Sequence, residues 1–217
     1  LDKTKKYMLT ILIGGGILAG TIYLLGFINN GFWFWLWIGM SIFVILTNMF
    51  YAELIVPIFN KLTPLKKGSL RNKIETYSKK VGYSLNKVYV IDGSKRSSKA
   101  NAFFSGLGSR KTIALYDTLI EKHTEEELVA VLAHEVGHYK KKHIFTSLIL
   151  TIVQLGVMCF LFEMCLKQVN ISMALGGNGM VFHLGLIGFG ILYSPIGTII
   201  GIFMNILSRK NEFEADA

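Results

Sequence analysis

Four long apolar stretches constrain this chain more than anything else in it: Met8 to Ile28, Phe32 to about Phe50, Ile144 to Leu166, and Met180 to Leu207. Each approaches or exceeds the roughly 20 apolar residues that cross a bilayer as a helix. A composition 52% apolar and only 17% charged leaves too little polar surface for an ordinary soluble fold. The expected fold class is therefore a predominantly α-helical membrane protein. Only Asn29, Asn30 and Gly31 separate the first two stretches. So tight a turn makes a helical hairpin, and the first stretch is read as mature structure, not as a removed signal sequence. The second runs on into "YAELIVPIFNKLTPL", which leaves its end open.

The formal net charge of +9 would suggest nucleic acid in a soluble protein. Its placement points elsewhere. Of 23 basic residues, all but Lys167 lie before the first stretch, between Lys61 and Lys142, or after the fourth. With four spans these segments share one side of the membrane, and the positive-inside rule makes it cytosolic for both termini and the central segment. Basic residues beside anionic headgroups account for the charge, so a lipid bilayer is the expected partner and nucleic acid is not. Cys159 and Cys165 lie six residues apart in one span and imply neither a disulfide framework nor a CxxC metal site. Nothing in the sequence bears on oligomeric state.

Between Leu62 and His143 the composition becomes that of a small α+β domain. Leu70, Ile74, Tyr77 and Val81 recur at helical spacing, with Ser69 expected as N-cap and Gly82 as stop. "KVYVID", "NAFFSGLG" and "RKTIALYD" read as strands and "GSKRSSKA" as a polar loop. The next helix is specified at both ends. Thr124 and Glu127 form a capping box, acidic residues 125–127 complement the positive end of the helix dipole, and Lys140 to Lys142 lie toward the other end.

That helix carries "HEVGH". His134 and His138 are one turn apart and about 40° around the axis, so both imidazoles reach one ion. Glu135, offset by one position, approaches an attacking water from the side and suits a general base. The motif predicts one zinc ion, with a third protein ligand to be found downstream among Glu163, Glu212, Glu214 and Asp216, or His143 and His183.

Membrane geometry selects Glu212. The path from His138 out to the loop near Met173 is nearly as long as the path back to Glu212, so an antiparallel hairpin returns Glu212 to the depth of the histidines. Glu163 and His183 would lie far across the bilayer. Within "NEFEADA", Asp216 shares the face of Glu212, while Glu214 points about 200° away. Asp216 then suits a hydrogen bond to the free ring nitrogen of a ligating histidine. His143, about 140° around the helix from His138, is expected as an interfacial residue.

"GSKRSSKANAFFSGLGSRKTIALYDTLIEKH", "EEELVAVLAHEVGHYKKKHI", "SRKNEFEADA" and "SPIG" resemble the integral-membrane zinc endopeptidase family that includes the CAAX prenyl protease, over most of the chain from about Phe59 onward. The resemblance implies His134, His138 and Glu212 as zinc ligands, Glu135 as base and Asp216 as support. It also implies that the strand around Asn101, Ala102 and Phe103 is an edge to which substrate backbone adds as a further strand. A water-filled chamber among the helices, as the family has, would tolerate Asn48, Glu53, Gln154, Glu163, His183 and Asn205; helix-to-helix hydrogen bonding is the alternative for each. Pro195 is expected to kink the fourth span. The family usually has further spans before the first one here, and a later segment with histidine and arginine near the reaction centre. A start at Leu1 and an end three residues after Glu214 are what a fragment would show, one that binds zinc yet cleaves poorly if that segment stabilises the oxyanion.

The expected organisation is a transmembrane hairpin over 1–60, a cytosolic zincin-like protease domain over 61–143, a second hairpin over 144–208, and the start of the third-ligand helix over 209–217. The expected function is hydrolysis of peptide bonds by zinc-activated water, on peptide or lipidated protein substrates held at the membrane. Alternatives are a heat-shock type quality-control protease and a catalytically silent scaffold with structural zinc.

Overall fold

The computed structural model describes the backbone of residues 2–28, 30–83, 87–95, 101–105 and 112–216, and the side chains of all of these except 2, 52, 95 and 103–105. In chain order its helices are α1 (Asp2–Phe27), α2 (Phe32–Phe50), α3 (Val56–Phe59), α4 (Ser69–Lys80), α5 (Asp117–Lys122), α6 (Glu125–Lys140), α7 (His143–Lys167), α8 (Val169–Ala174) and α9 (Phe182–Asp216). Its strands are β1 (Leu62–Pro64), β2 (Lys87–Ile91), β3 (Ala102–Ser105) and β4 (Thr112–Tyr116). Helices α1, α2, α7 and α9 are long and apolar enough to cross a membrane. The chain divides into two compact units, one of residues 1–44 and 145–210, the other of residues 45–144 and 211–217.

In the first unit, aromatic and aliphatic side chains of α2, α7 and α9 pack together: Phe32, Leu36, Cys159, Phe162 and Leu166 are buried, with Phe182 and Phe189 against them. A polar clasp adds direction to this packing. Gly31 ends the α1–α2 turn at φ 75, a conformation that a side chain disfavours. Its N–H and that of Trp33 donate to the two carboxylate oxygens of Glu163 on α7, at 3.0 and 2.9 Å. Lys167, one turn along α7, pairs with Glu163 and donates to Asn30 Oδ1 at 2.9 Å. Glu163 thus takes the helix-to-helix alternative, satisfying donors at the start of α2 that the helix itself cannot. Helix α9 runs unbroken through Pro195.

The second unit is a four-stranded sheet in the order β1-β2-β4-β3, with β2 and β4 parallel and each outer strand antiparallel to its neighbour. Alternation along β4 sends Ile113 and Leu115 to one face, where they meet Val88, Ile74 of α4, and Leu128, Leu132 and Val136 of α6. Ala114 joins Val56 and Ile91 on the other face. Between α2 and α3 the chain forms one π-helical turn, Tyr51–Ile55, and Glu53 within it lies 3.8 Å from Lys87 of β2. Strand β1 is not legible in the sequence because three residues ending in proline carry no alternation.

Helix α4 spans the expected residues but begins at Ser69 itself, with Gly68 at the cap position and no side-chain cap bond. The Ser69 hydroxyl instead donates to Glu125 at 2.7 Å. Residues 106–108 of "NAFFSGLG" and residues 96–100 of "GSKRSSKA" lie outside the described residues. The α6 capping box is formed, with Glu127 N–H donating to Thr124 Oγ1 and Thr124 N–H to Glu127 Oε2 at 2.8 Å.

One backbone approach fixes the end of α9 on α6. A Cβ added at Gly137 would lie 2.5 Å from the carbonyl oxygen of Ala215 and 3.1 Å from its Cα. Neither atom belongs to a flexible side chain, so any larger residue must push the two helices apart. Gly137→Val is expected to cost about 1–3 kcal/mol of overpacking. Glu163→Ala, which strands two N–H donors and a lysine, is expected to cost about 2–3 kcal/mol. Chemical unfolding of both variants in detergent micelles measures the two losses.

Candidate metal centre

Because α6 places His134 and His138 one turn apart, their Nε2 atoms converge to 3.1 Å. The last turn of α9, held close by Gly137, brings Glu212 Oε2 to 3.2 Å from His134 Nε2 and 3.6 Å from His138 Nε2. One donor atom from each of the three side chains thus lies within 4.8 Å of the other two. The third partner comes from a segment 74 residues beyond His138 in the chain.

The remaining ring nitrogens say which tautomer is present. His134 Nδ1 sits 2.6 Å from Asp216 Oδ1. A carboxylate only accepts, so His134 carries a proton on Nδ1, and the neutral ring therefore turns a bare Nε2 lone pair toward His138 and Glu212. Tetrahedral zinc bonded at about 2.0–2.1 Å to imidazole and carboxylate holds neighbouring donor atoms about 3.3 Å apart. The observed triangle, with sides of 3.1, 3.2 and 3.6 Å, therefore fits a zinc-sized ion in both chemistry and spacing.

Electrostatics pulls the two histidines in opposite directions. For His134, burial opposes charging, but the hydrogen-bonded Asp216 carboxylate, with Glu135 and Glu212, outweighs it and holds its pKa above the ordinary value. Burial, opposed by Glu212 and aided by His134 and His143, pushes His138 below it. The two rings do not both charge readily. Glu135 is half-buried, and that burial raises its pKa, with Glu212 adding to the shift and His134 opposing it.

Two residues that helical periodicity set aside, His143 and Glu214, also meet at this site. His143 is buried, 6% exposed. Its Nδ1 lies 3.0 Å from His138 Nδ1, and its Nε2 3.2 Å from Glu214 Oε2. Extending α6 as one helix puts His143 on another face from His138, but the helix ends at Lys140 with Lys141 as its C-cap, and Lys142 turns left-handed at φ 58 before α7 begins. A left-handed lysine carries no reliable sequence signal, since glycine and asparagine are the usual markers.

The strand bearing Asn101, Ala102 and Phe103 was expected at a sheet edge. Strand β3 is the outermost strand beside β4, with Ala102 opposite Leu115 and Phe103 opposite Ala114, and it packs near α6. Asn101 is exposed and precedes the strand. Its carbonyl accepts from Tyr116 N–H at 3.1 Å, and its side-chain oxygen accepts from Ala102 N–H at 3.0 Å. The Phe103 side chain lies outside the described residues.

Comparison with known proteins identifies the family. Residues 64–217 match the family model of peptidase family M48, and residues 1–61 match that described as the CAAX prenyl protease N-terminal region with five membrane helices. The CAAX prenyl protease 1 homolog of Dictyostelium discoideum is 36% identical over 99% of this chain and 51% of its own length. The CAAX prenyl protease 1 of Saccharomyces cerevisiae is 32% identical over 100% of this chain and 51% of its own. The crystal structure of S. mikatae Ste24p superposes with a TM-score of 0.90 at 32% identity, covering 99% of this chain and 54% of that one. The chain thus spans about half the length of the curated relatives it matches. From its long apolar helices, its HEVGH helix and these matches together, the chain is a multi-pass integral membrane protein that belongs to peptidase family M48.

Proposed function

We propose that this chain carries the centre of a zinc metalloendopeptidase of the CAAX prenyl protease kind, acting on membrane-anchored or lipidated proteins at the cytosolic face. His134, His138 and Glu212 are the zinc ligands, Glu135 is the general base, and Asp216 orients His134. The observation that carries this reading is the triangle of two imidazole nitrogens and one carboxylate oxygen at zinc spacing. M48 membership and the names of the matched relatives support it.

When bound, zinc supplies polarisation of the scissile carbonyl and a lowered pKa for the attacking water. The chain's own residues handle the proton. Glu135 takes it from the water as oxygen bonds to the carbonyl carbon, then passes it to the amine nitrogen as the carbon–nitrogen bond breaks. Burial suits Glu135 to this task, since a carboxylate with a raised pKa is a stronger base and later a usable acid. Asp216, accepting from His134 Nδ1–H, fixes the tautomer that leaves Nε2 free.

The outer edge of β3, around Asn101, Ala102 and Phe103, is where an extended peptide would add to the sheet as a further strand. Clustering of basic residues between Lys61 and Lys142 supports a cytosolic position for this domain. A lipid anchor in the bilayer would then present its peptide beside the site without leaving the membrane.

Glu135→Gln is expected to keep full zinc content while cleavage falls by about 10²–10⁴-fold; His134→Ala is expected to lose the zinc. Metal analysis of each purified variant beside a peptide-cleavage assay checks both. A farnesylated CAAX peptide is expected to be cleaved in preference to an unfolded, unmodified protein. The reverse preference would assign the site to quality control, and wild-type activity in Glu135→Gln would remove the proposed base.

A further inference from the structure

We propose that His143 and Glu214 are positioning residues for His138, so that both metal-facing histidines are anchored on carboxylates of the last turn of α9: His134 directly on Asp216, and His138 through His143 on Glu214. This rests on the zinc-site reading above and extends it to two residues outside the motif.

Proton bookkeeping fixes the direction of every bond. His138 presents Nε2 to His134 Nε2 at 3.1 Å and to Glu212 at 3.6 Å. To bind a metal there, that atom must hold no proton, so the ring's one proton resides on Nδ1. His138 Nδ1–H then donates to His143 Nδ1, 3.0 Å away. Having accepted at Nδ1, a neutral His143 carries its own proton on Nε2 and donates it to the Glu214 carboxylate at 3.2 Å. Each contact has one donor and one acceptor. Reversing the chain of bonds would place a proton on His138 Nε2 and block the metal, so the relay selects the tautomer that binds.

Burial gives the relay its force. A ring only 6% exposed finds little water to replace a missing partner, so both of its nitrogens must be satisfied within the protein. The left-handed Lys142 makes the arrangement possible by bringing His143 beside His138 after one tight turn. On the far side, Glu212, Glu214 and Asp216 share one helical turn. That turn therefore supplies a ligand and both anchors, and the histidines and the third ligand lock one another in place.

The test is zinc affinity by chelator competition on the purified membrane protein. His143→Phe fills the space but makes neither hydrogen bond, and zinc affinity is expected to fall about 10–100-fold, the usual effect of losing such a support. His143→Gln can accept from His138 through its amide oxygen and donate to Glu214 through its amide nitrogen, so its affinity is expected to stay within about threefold of wild type. Glu214→Leu, at a partly exposed site, is expected to weaken zinc binding in the same direction as His143→Phe. A role in packing alone would make the phenylalanine variant equal to wild type, or the two His143 variants equally impaired; either result overturns the proposal. Unchanged affinity in Glu214→Leu overturns it independently of how His143→Phe folds. If the wild-type protein takes up no zinc, the zinc-site reading itself fails and this proposal with it, whereas zinc uptake unaffected by these variants removes the relay alone.

Discussion

The site depends on one close passage of backbone. Gly137 lies between the two histidines in sequence and on the face of α6 that meets the end of α9, where a Cβ would fall 2.5 Å from the Ala215 carbonyl. Without a side chain there, the two helices approach until residues on both sides of Ala215 can reach the imidazoles. Glu214 and Asp216, its immediate neighbours, contact His143 and His134, and Glu212, three residues before Ala215, completes the donor triangle. Interactions that polar side chains can make only at short range are thus made available by an interaction that involves no polar side chain at all.

The same logic of satisfying backbone and ring groups from far along the chain recurs in the first unit. Glu163 accepts two N–H groups at the start of α2, a helix end that has no intrahelical acceptor for them, and its charge is matched by Lys167. In an apolar surrounding such a group is tolerable only when fully partnered. Polar residues in the spans are therefore not of one kind, and each has to be read by what it touches.

Much of this was legible in the sequence wherever a local rule decided the outcome. The α6 helix, its capping box and the facing of His134 and His138 follow from spacing within one element. Glu212 needed a longer argument, that a hairpin of equal arms returns to its starting depth. Where a rule depended on an irregular residue, sequence reasoning stopped short. The left-handed turn at Lys142 broke the helical periodicity that separated His143 from His138. Ser69 had the chemistry of an N-cap, but its hydroxyl donates to Glu125 on a neighbouring helix. Glu163 could have faced water or a helix, and only its distance to the α1–α2 turn settles which.

The central claim is that two imidazoles and one carboxylate, drawn from α6 and the end of α9, surround a single ion. Zinc K-edge X-ray absorption on the purified protein measures that shell directly. The account predicts two imidazole nitrogens and light oxygen donors at about 2.0–2.1 Å, with no sulfur. A shell containing sulfur at about 2.3 Å, or only one imidazole, would contradict it.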